Sequence, residues 1–156
     1  MPVVEQAIVI KAPMARVMAA LNAVENIPNW ATVSGVIDHV QGRGAGMTYA
    51  WRYQFNNLNF EGRSEVLEQT ADTLITRTTG DVDSLWTITL SPAGANRTAM
   101  RVNVEYTAPN TFMEILADIV LEQLGNPAVA RENMQRFKEM VEAQTDSVEG
   151  QIVAHA

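Results

Sequence analysis

The sequence predicts an α+β fold, a curved antiparallel β-sheet of about seven strands wrapped around a long C-terminal helix, with two short helices after the first strand. Three observations carry this expectation. Residues 33–108 alternate apolar and polar positions in short runs divided by turn residues. Beyond Pro109 the apolar residues change to a helical period. Ahead of the alternating region stand a β-branched opening run and one short helical stripe that Pro28 closes.

The elements follow in order. Residues 3–11 are rich in Val and Ile and read as a strand. Pro13 sits where a helix start tolerates proline, and Val17, Met18, Leu21 and Val24 follow at helical spacing. Turn residues at 42–46, Asn56-Asn57, Ala71-Asp72, Gly80-Asp81 and 92–96 then mark out about six strands at hairpin spacing. In the run 47–55, Met47, Tyr49, Trp51, Tyr53 and Phe55 face one way, and Thr48, Ala50, Arg52 and Gln54 the other. Residues 60–66, 86–90 and 99–107 repeat this scheme, so one face is buried and one wetted. Strand 33–41 admits two registers: one buries Val36, Asp38 and Val40, the other Ile37 and His39. Strand 73–79 alternates weakly. After Pro109, Phe112, Ile115, Leu116, Ile119 and Val120 form one apolar stripe. Gly125-Asn126-Pro127 interrupts it, and Ala130, Met134, Phe137 and Val141 continue beyond, as two tandem helices or one kinked helix. Residues 146–156 carry no strong period and read as a frayed, poorly ordered tail, leaving 1–145 as a single domain.

Composition narrows the function. The chain has 156 residues, 47% of them apolar and 19% charged, enough to bury roughly 70% of the unfolded surface in one core. It has no cysteine, which removes disulfides, thiolate metal sites and cysteine nucleophiles. The net charge is −7 and the eleven Lys and Arg are scattered, so neither nucleic acid nor an anionic membrane surface is an expected partner. No apolar stretch approaches the ~20 residues of a bilayer span, and no basic leader precedes an apolar run. A cytoplasmic protein without stable membrane insertion is expected. No coiled coil or surface stripe decides the oligomeric state.

A one-faced sheet needs a cover, and the C-terminal helix is the element long enough to supply it. A sheet of this size also curls. The inward positions mix large rings with Gly62 and Ser64, which fill little, and that mixture suits a hollow interior.

In this setting the chain resembles the START-like (SRPBCC) superfamily, in its bacterial polyketide cyclase/dehydrase and lipid-transport branch, related to the Bet v 1 helix-grip fold. The resemblance is carried by residues 8–13 leading into Val17, Asn26 to Trp30, the glycine loop 42–46, Glu61 to Gln69, Trp86 with 90–92, Tyr106 to Pro109, and Asn133 to Ala143. Together these span residues 3–143 in order. The resemblance implies a hydrophobic ligand cavity between sheet and helix. It implies no reaction, because such proteins include carriers, cyclases and chaperone-linked domains.

The aromatic row Tyr49, Trp51, Tyr53 and Phe55 is the leading candidate for a cavity wall, since rings offer contact area and tyrosines a polar handle. Phe60, Ser64, Trp86 and Ile88 extend it, followed by Met100, Val102, Val104 and Tyr106. Phe112, Leu116, Ile119 and Val120 would face them from the helix. The plain alternative for each is core packing. Arg77 and His39 are candidates for polar contacts with the ligand, with solvent exposure as the competing reading. The glycine loop joins two predicted strands and opens no helix, so it reads as a hairpin turn and not a phosphate cradle. Glu114, Asp118 and Glu122 stand four apart and suit a solvated helix face. No ligand set for a metal is found, and no cofactor is expected.

Three functions remain open. The first is binding of a small hydrophobic, lipid-like or polycyclic ligand. The second is a polyketide cyclase or dehydratase, which would draw an acid, base or arginine from Arg77, Asp38, His39, Tyr49 and Tyr53. The third is a protein-interaction module with a filled core.

Overall fold

The computed structural model describes residues 3–30, 34–55, 58–80, 83–107 and 127–155. The strand β1 (Val3–Ile10) leads into helix α1 (Met14–Asn22), a 3-10 turn (Val24–Asn26) and a single-turn helix α2 (Ile27–Trp30). Six strands follow: β2 (Ser34–Gln41), β3 (Thr48–Phe55), β4 (Leu58–Gln69), β5 (Thr73–Gly80), β6 (Asp83–Pro92) and β7 (Thr98–Thr107). Helix α3 (Pro127–His155) follows them, with Pro127 at its first position, where a missing N–H costs nothing. It includes residues 146–155, where the apolar period fades. The stripe of Phe112, Ile115, Leu116, Ile119 and Val120 lies outside the described residues, as do Glu114, Asp118 and Glu122.

The seven strands form one antiparallel sheet in the order β1-β7-β6-β5-β4-β3-β2. Short hairpins set this order from β2 to β7, and β1 then pairs with β7, Ile8 opposite Met100. The alternation read from the sequence fixes the faces. Met47, Tyr49 and Trp51 of the β3 run, Phe60, Ser64 and Val66 of β4, and Ile88 and Leu90 of β6 are buried. Arg52, Glu61, Arg63 and Glu65 are exposed on the opposite side.

Two irregularities bend the sheet. In β4 the register slips between Val66 and Glu68, leaving Leu67 exposed. In β2 it slips between Asp38 and Gln41, and His39 takes a positive φ of 53°. An extra residue of this kind increases local twist and re-aims the side chains after it. Neither register expected for strand 33–41 therefore holds along its length. Ile37 and Val40 both pack on the core, while Val36 is 51% exposed and Asp38 bonds the Arg52 guanidinium at 3.1 Å.

Helix α3 packs on β1 and on α1 and α2. Its Met134, Phe137 and Val141 are buried at the expected helical spacing, and Phe137 meets Trp30 edge-on at 5.4 Å. One carboxylate fastens the helix to the sheet. Glu142 Oε1 accepts the Lys11 backbone N–H at 3.0 Å and the Lys138 ammonium one turn away. Burial pushes the Glu142 carboxyl up, but the bonds from Lys138 and Lys11 outweigh it and leave it below its ordinary value. Its contribution is therefore complete at neutral pH and drains away as the pH falls through the folded value. Glu142→Gln should lower stability by about 1 kcal/mol at pH 7. In urea titrations the gap from the parent protein should close on acidification. A gap that widens toward low pH would contradict this role.

Candidate ligand-binding face

The inward face of the sheet is ordered in transverse rows. Pairing places Tyr49 of β3 opposite Ser64 of β4, Ser64 opposite Thr78 of β5, Thr78 opposite Ser84 of β6, and Ser84 opposite Tyr106 of β7. Five adjacent strands thus place a hydroxyl-bearing residue at the same level. Ser64 Oγ and Thr78 Oγ1 are 2.8 Å apart, and Tyr49 hydrogen-bonds Ser64. Ser84 Oγ accepts the Trp86 indole N–H at 3.0 Å. Burial pushes the Tyr49 phenol up, against the smaller opposing effect of the Ser64 bond, so it stays protonated.

The rows on either side are apolar or aromatic apart from Thr76. On one side Val66, Thr76, Trp86 and Val104 share a level, with Leu74, Ile88 and Val102 beyond. On the other side stand Ile37, Trp51, Gly62 and Gly80. By this register no Asp, Glu, Lys or Arg takes an inward position among the described strand residues.

Gly62 has a different role from the one its small size suggests. A Cβ built there would lie 2.2 Å from Trp51 Cζ2 and 2.3 Å from the Thr79 backbone oxygen. The room left by the glycine is occupied by the indole, which lies across β4. Gly62 is a seat for Trp51, where the sequence suggested an opening.

The other expected positions divide clearly. Phe60, Ile88, Met100 and Val104 are buried, and Val102 packs at the edge of the same core. Trp86 is half-buried. Tyr53 and Phe55 continue β3 opposite Phe60 and Leu58, and their side chains, like that of Tyr106, lie outside the description. Phe112, Leu116, Ile119 and Val120 are likewise outside it. Arg77 is exposed, and the His39 side chain is 76% exposed with its nearest acid, Asp38, at 3.8 Å. The structure thus sets both apart from the inward face. The glycine loop is the β2–β3 connection, with Gly42, Gly44 and Gly46 at positive φ and Arg43 paired to Glu25. That pairing, first through its hydrogen bond, holds the Glu25 carboxyl below its ordinary value. Among the described residues, no group of three His, Cys, Asp or Glu could hold a metal ion, and no helix is long and apolar enough to cross a membrane.

Sequence reasoning missed Thr78 and Ser84. In β5 the inward positions are Leu74, Thr76 and Thr78, while Ile75 faces outward beside Arg77, so the hydrophobic alternation cancels. Ser84 shares parity with Trp86, Ile88 and Leu90, and that signal could have placed it inward.

Comparison with known proteins sets this face in context. The model of a family described as polyketide cyclase / dehydrase and lipid transport matches residues 1–142. No curated protein matches the chain by sequence. Among solved structures, TTHA0849 from Thermus thermophilus superposes with a TM-score of 0.71 at 18% identity, covering 92% of this chain and 99% of its own. The Zhui aromatase/cyclase from Streptomyces sp. R1128 gives 0.68 at 11% identity, covering 92% and 94%. Ara h 8.0201 gives 0.61 at 13% identity, covering 90% and 97%. At these identities the likeness establishes the α+β helix-grip fold, and the family match over residues 1–142 shows that the chain belongs to the polyketide cyclase / dehydrase and lipid transport family.

Proposed function

We propose that this protein binds a small hydrophobic, lipid-like or polycyclic molecule against the inward face of its sheet. The observation that carries the reading is a face of aromatic, aliphatic and hydroxyl-bearing residues in which the described strands place no charged side chain. Such a face binds by excluded water and ring contact. The family description, which includes lipid transport, agrees with it.

The rival reading is catalysis. It draws on the same family description and on the fold shared with an aromatase/cyclase. General acid–base work needs a titratable group within reach of the substrate. Asp38 is engaged with Arg52 on the outward side, and His39 and Arg77 are exposed. Tyr49 is buried on the face, but its phenol is held protonated, which suits a hydrogen bond better than a base. These placements favour binding.

Uptake of Nile red, a neutral apolar dye that brightens in a dry site, tests the proposal. Trp51→Phe should weaken uptake about fivefold through lost apolar area. Arg52→Ala, one residue along and on the opposite face, should leave it unchanged. Equal losses in both variants, or no uptake by the parent protein, would refute the reading.

A further inference from the structure

We infer that the hydroxyl row selects the ligand's polar end, and that this end is an uncharged carbonyl or hydroxyl oxygen and not a carboxylate. The inference rests on the binding role proposed above and adds the ligand's chemical class. Ser64 is 4% exposed and Ser84 7%, so both hydroxyls stand inside the protein. Each can donate one hydrogen bond and accept two. Among Tyr49, Ser64 and Thr78, three hydroxyl protons serve two mutual bonds, which leaves one for an outside acceptor. Ser84 accepts the Trp86 N–H, so its own proton is not spent in that bond. With strands about 4.8 Å apart, the three positions Ser64, Thr78 and Ser84 span roughly 10 Å along one line.

Such a row can satisfy neutral oxygens in either sense, as donor or acceptor. It cannot neutralise an anion. A carboxylate beside it would lose its water and meet no cation from the sheet, because the described strands turn no Lys or Arg inward and the Tyr49 phenol carries no charge. Buried charge is tolerated only when paired. The apolar rows on both sides then hold the body of the ligand, and the row sets its position across the sheet.

Three probes with one ring system separate the terms: naphthalene, 2-acetylnaphthalene and 2-naphthoate, each read by displacement of Nile red at pH 7. The acetyl compound and the naphthoate are close in shape and differ in charge. We expect 2-acetylnaphthalene to bind about fivefold more tightly than naphthalene, the value of one net hydrogen bond, and 2-naphthoate to bind at least about tenfold more weakly than the acetyl compound. In the variant that lacks all four hydroxyls (Tyr49→Phe, Ser64→Ala, Thr78→Val, Ser84→Ala) the acetyl compound should fall to the affinity of naphthalene measured on the same variant. Thr78→Ser, which keeps the hydroxyl, should retain the preference. Naphthoate binding as tightly as the ketone, or a preference that survives loss of the four hydroxyls in a folded variant, would overturn the inference. If naphthalene binds without any preference among the probes, the row's role falls and the binding function stands. If none of the three displaces the bound dye, the row's role falls, whereas a parent protein that takes up no dye defeats both readings.

Discussion

Phe137→Ala should lower the stability of this protein by about 3–5 kcal/mol, the usual loss for an emptied aromatic site in a core. Phe137 is 2% exposed and is among the largest fully buried side chains. It sits one turn from Met134 and Val141, both buried, so it is the centre of the stripe that α3 turns toward the core. Its ring meets the Trp30 ring at 70° and 5.4 Å, an edge-to-face pair that adds about 0.5–1.5 kcal/mol to the burial itself. The surroundings have little freedom to collapse into the space. Trp30 ends a single-turn helix and Val141 is wholly buried. For a chain of this size the loss corresponds to a fall of about 10 °C in Tm. Circular dichroism melts of Phe137→Ala beside Arg136→Ala would measure it. Arg136 is the exposed neighbour whose guanidinium pairs with Glu132 one turn back, and its removal should stay within about 0.5 kcal/mol. If the two variants melted together, α3 would not be anchored where the structure places it.

This stripe was legible in the sequence because helical spacing repeats over several turns. The sheet was legible for a similar reason. The β3 alternation sets Tyr49 and Trp51 opposite Arg52, and turn residues at hairpin spacing set the strand order. The illegible parts are those where a second structural rule overrides the period. The bulge at His39 joins two registers in one strand, so Ile37 and Val40 both face inward although they stand an odd step apart. No single alternation could assign that strand. In β5, threonines stand inward and Ile75 outward, which erases the contrast that would have placed Arg77 and Thr78. The hydroxyl row is harder still. It exists only through pairing across five strands, and no window of one strand contains it. Which side chain fills the space beside a glycine is likewise a matter between strands, and Gly62 is the clearest instance.

Gly62→Ala should therefore destabilise the protein by about 3 kcal/mol, at the upper end for overpacking, although alanine is the smallest change available and the site lies in a strand. Two obstacles meet the new methyl: the Trp51 indole at 2.2 Å and the Thr79 backbone oxygen at 2.3 Å. They predict different consequences. The indole can swing away at the cost of its burial, since it is 4% exposed on its seat. The backbone oxygen can move only by parting β4 from β5, where Gly80 already brings its own backbone against Gly62. A double-mutant cycle with Trp51→Ala separates them. If the ring is the main obstacle, Gly62→Ala should cost at least about 1 kcal/mol less in the Trp51→Ala background. If the strand contact dominates, the cost should be the same in both. The first outcome has a functional corollary. A displaced indole would enter the space over the neighbouring hydroxyl row, so Gly62→Ala should weaken Nile red uptake even under conditions where the variant remains fully folded. A variant that loses stability but binds the dye as the parent does would place the ligand elsewhere on the face, away from Trp51.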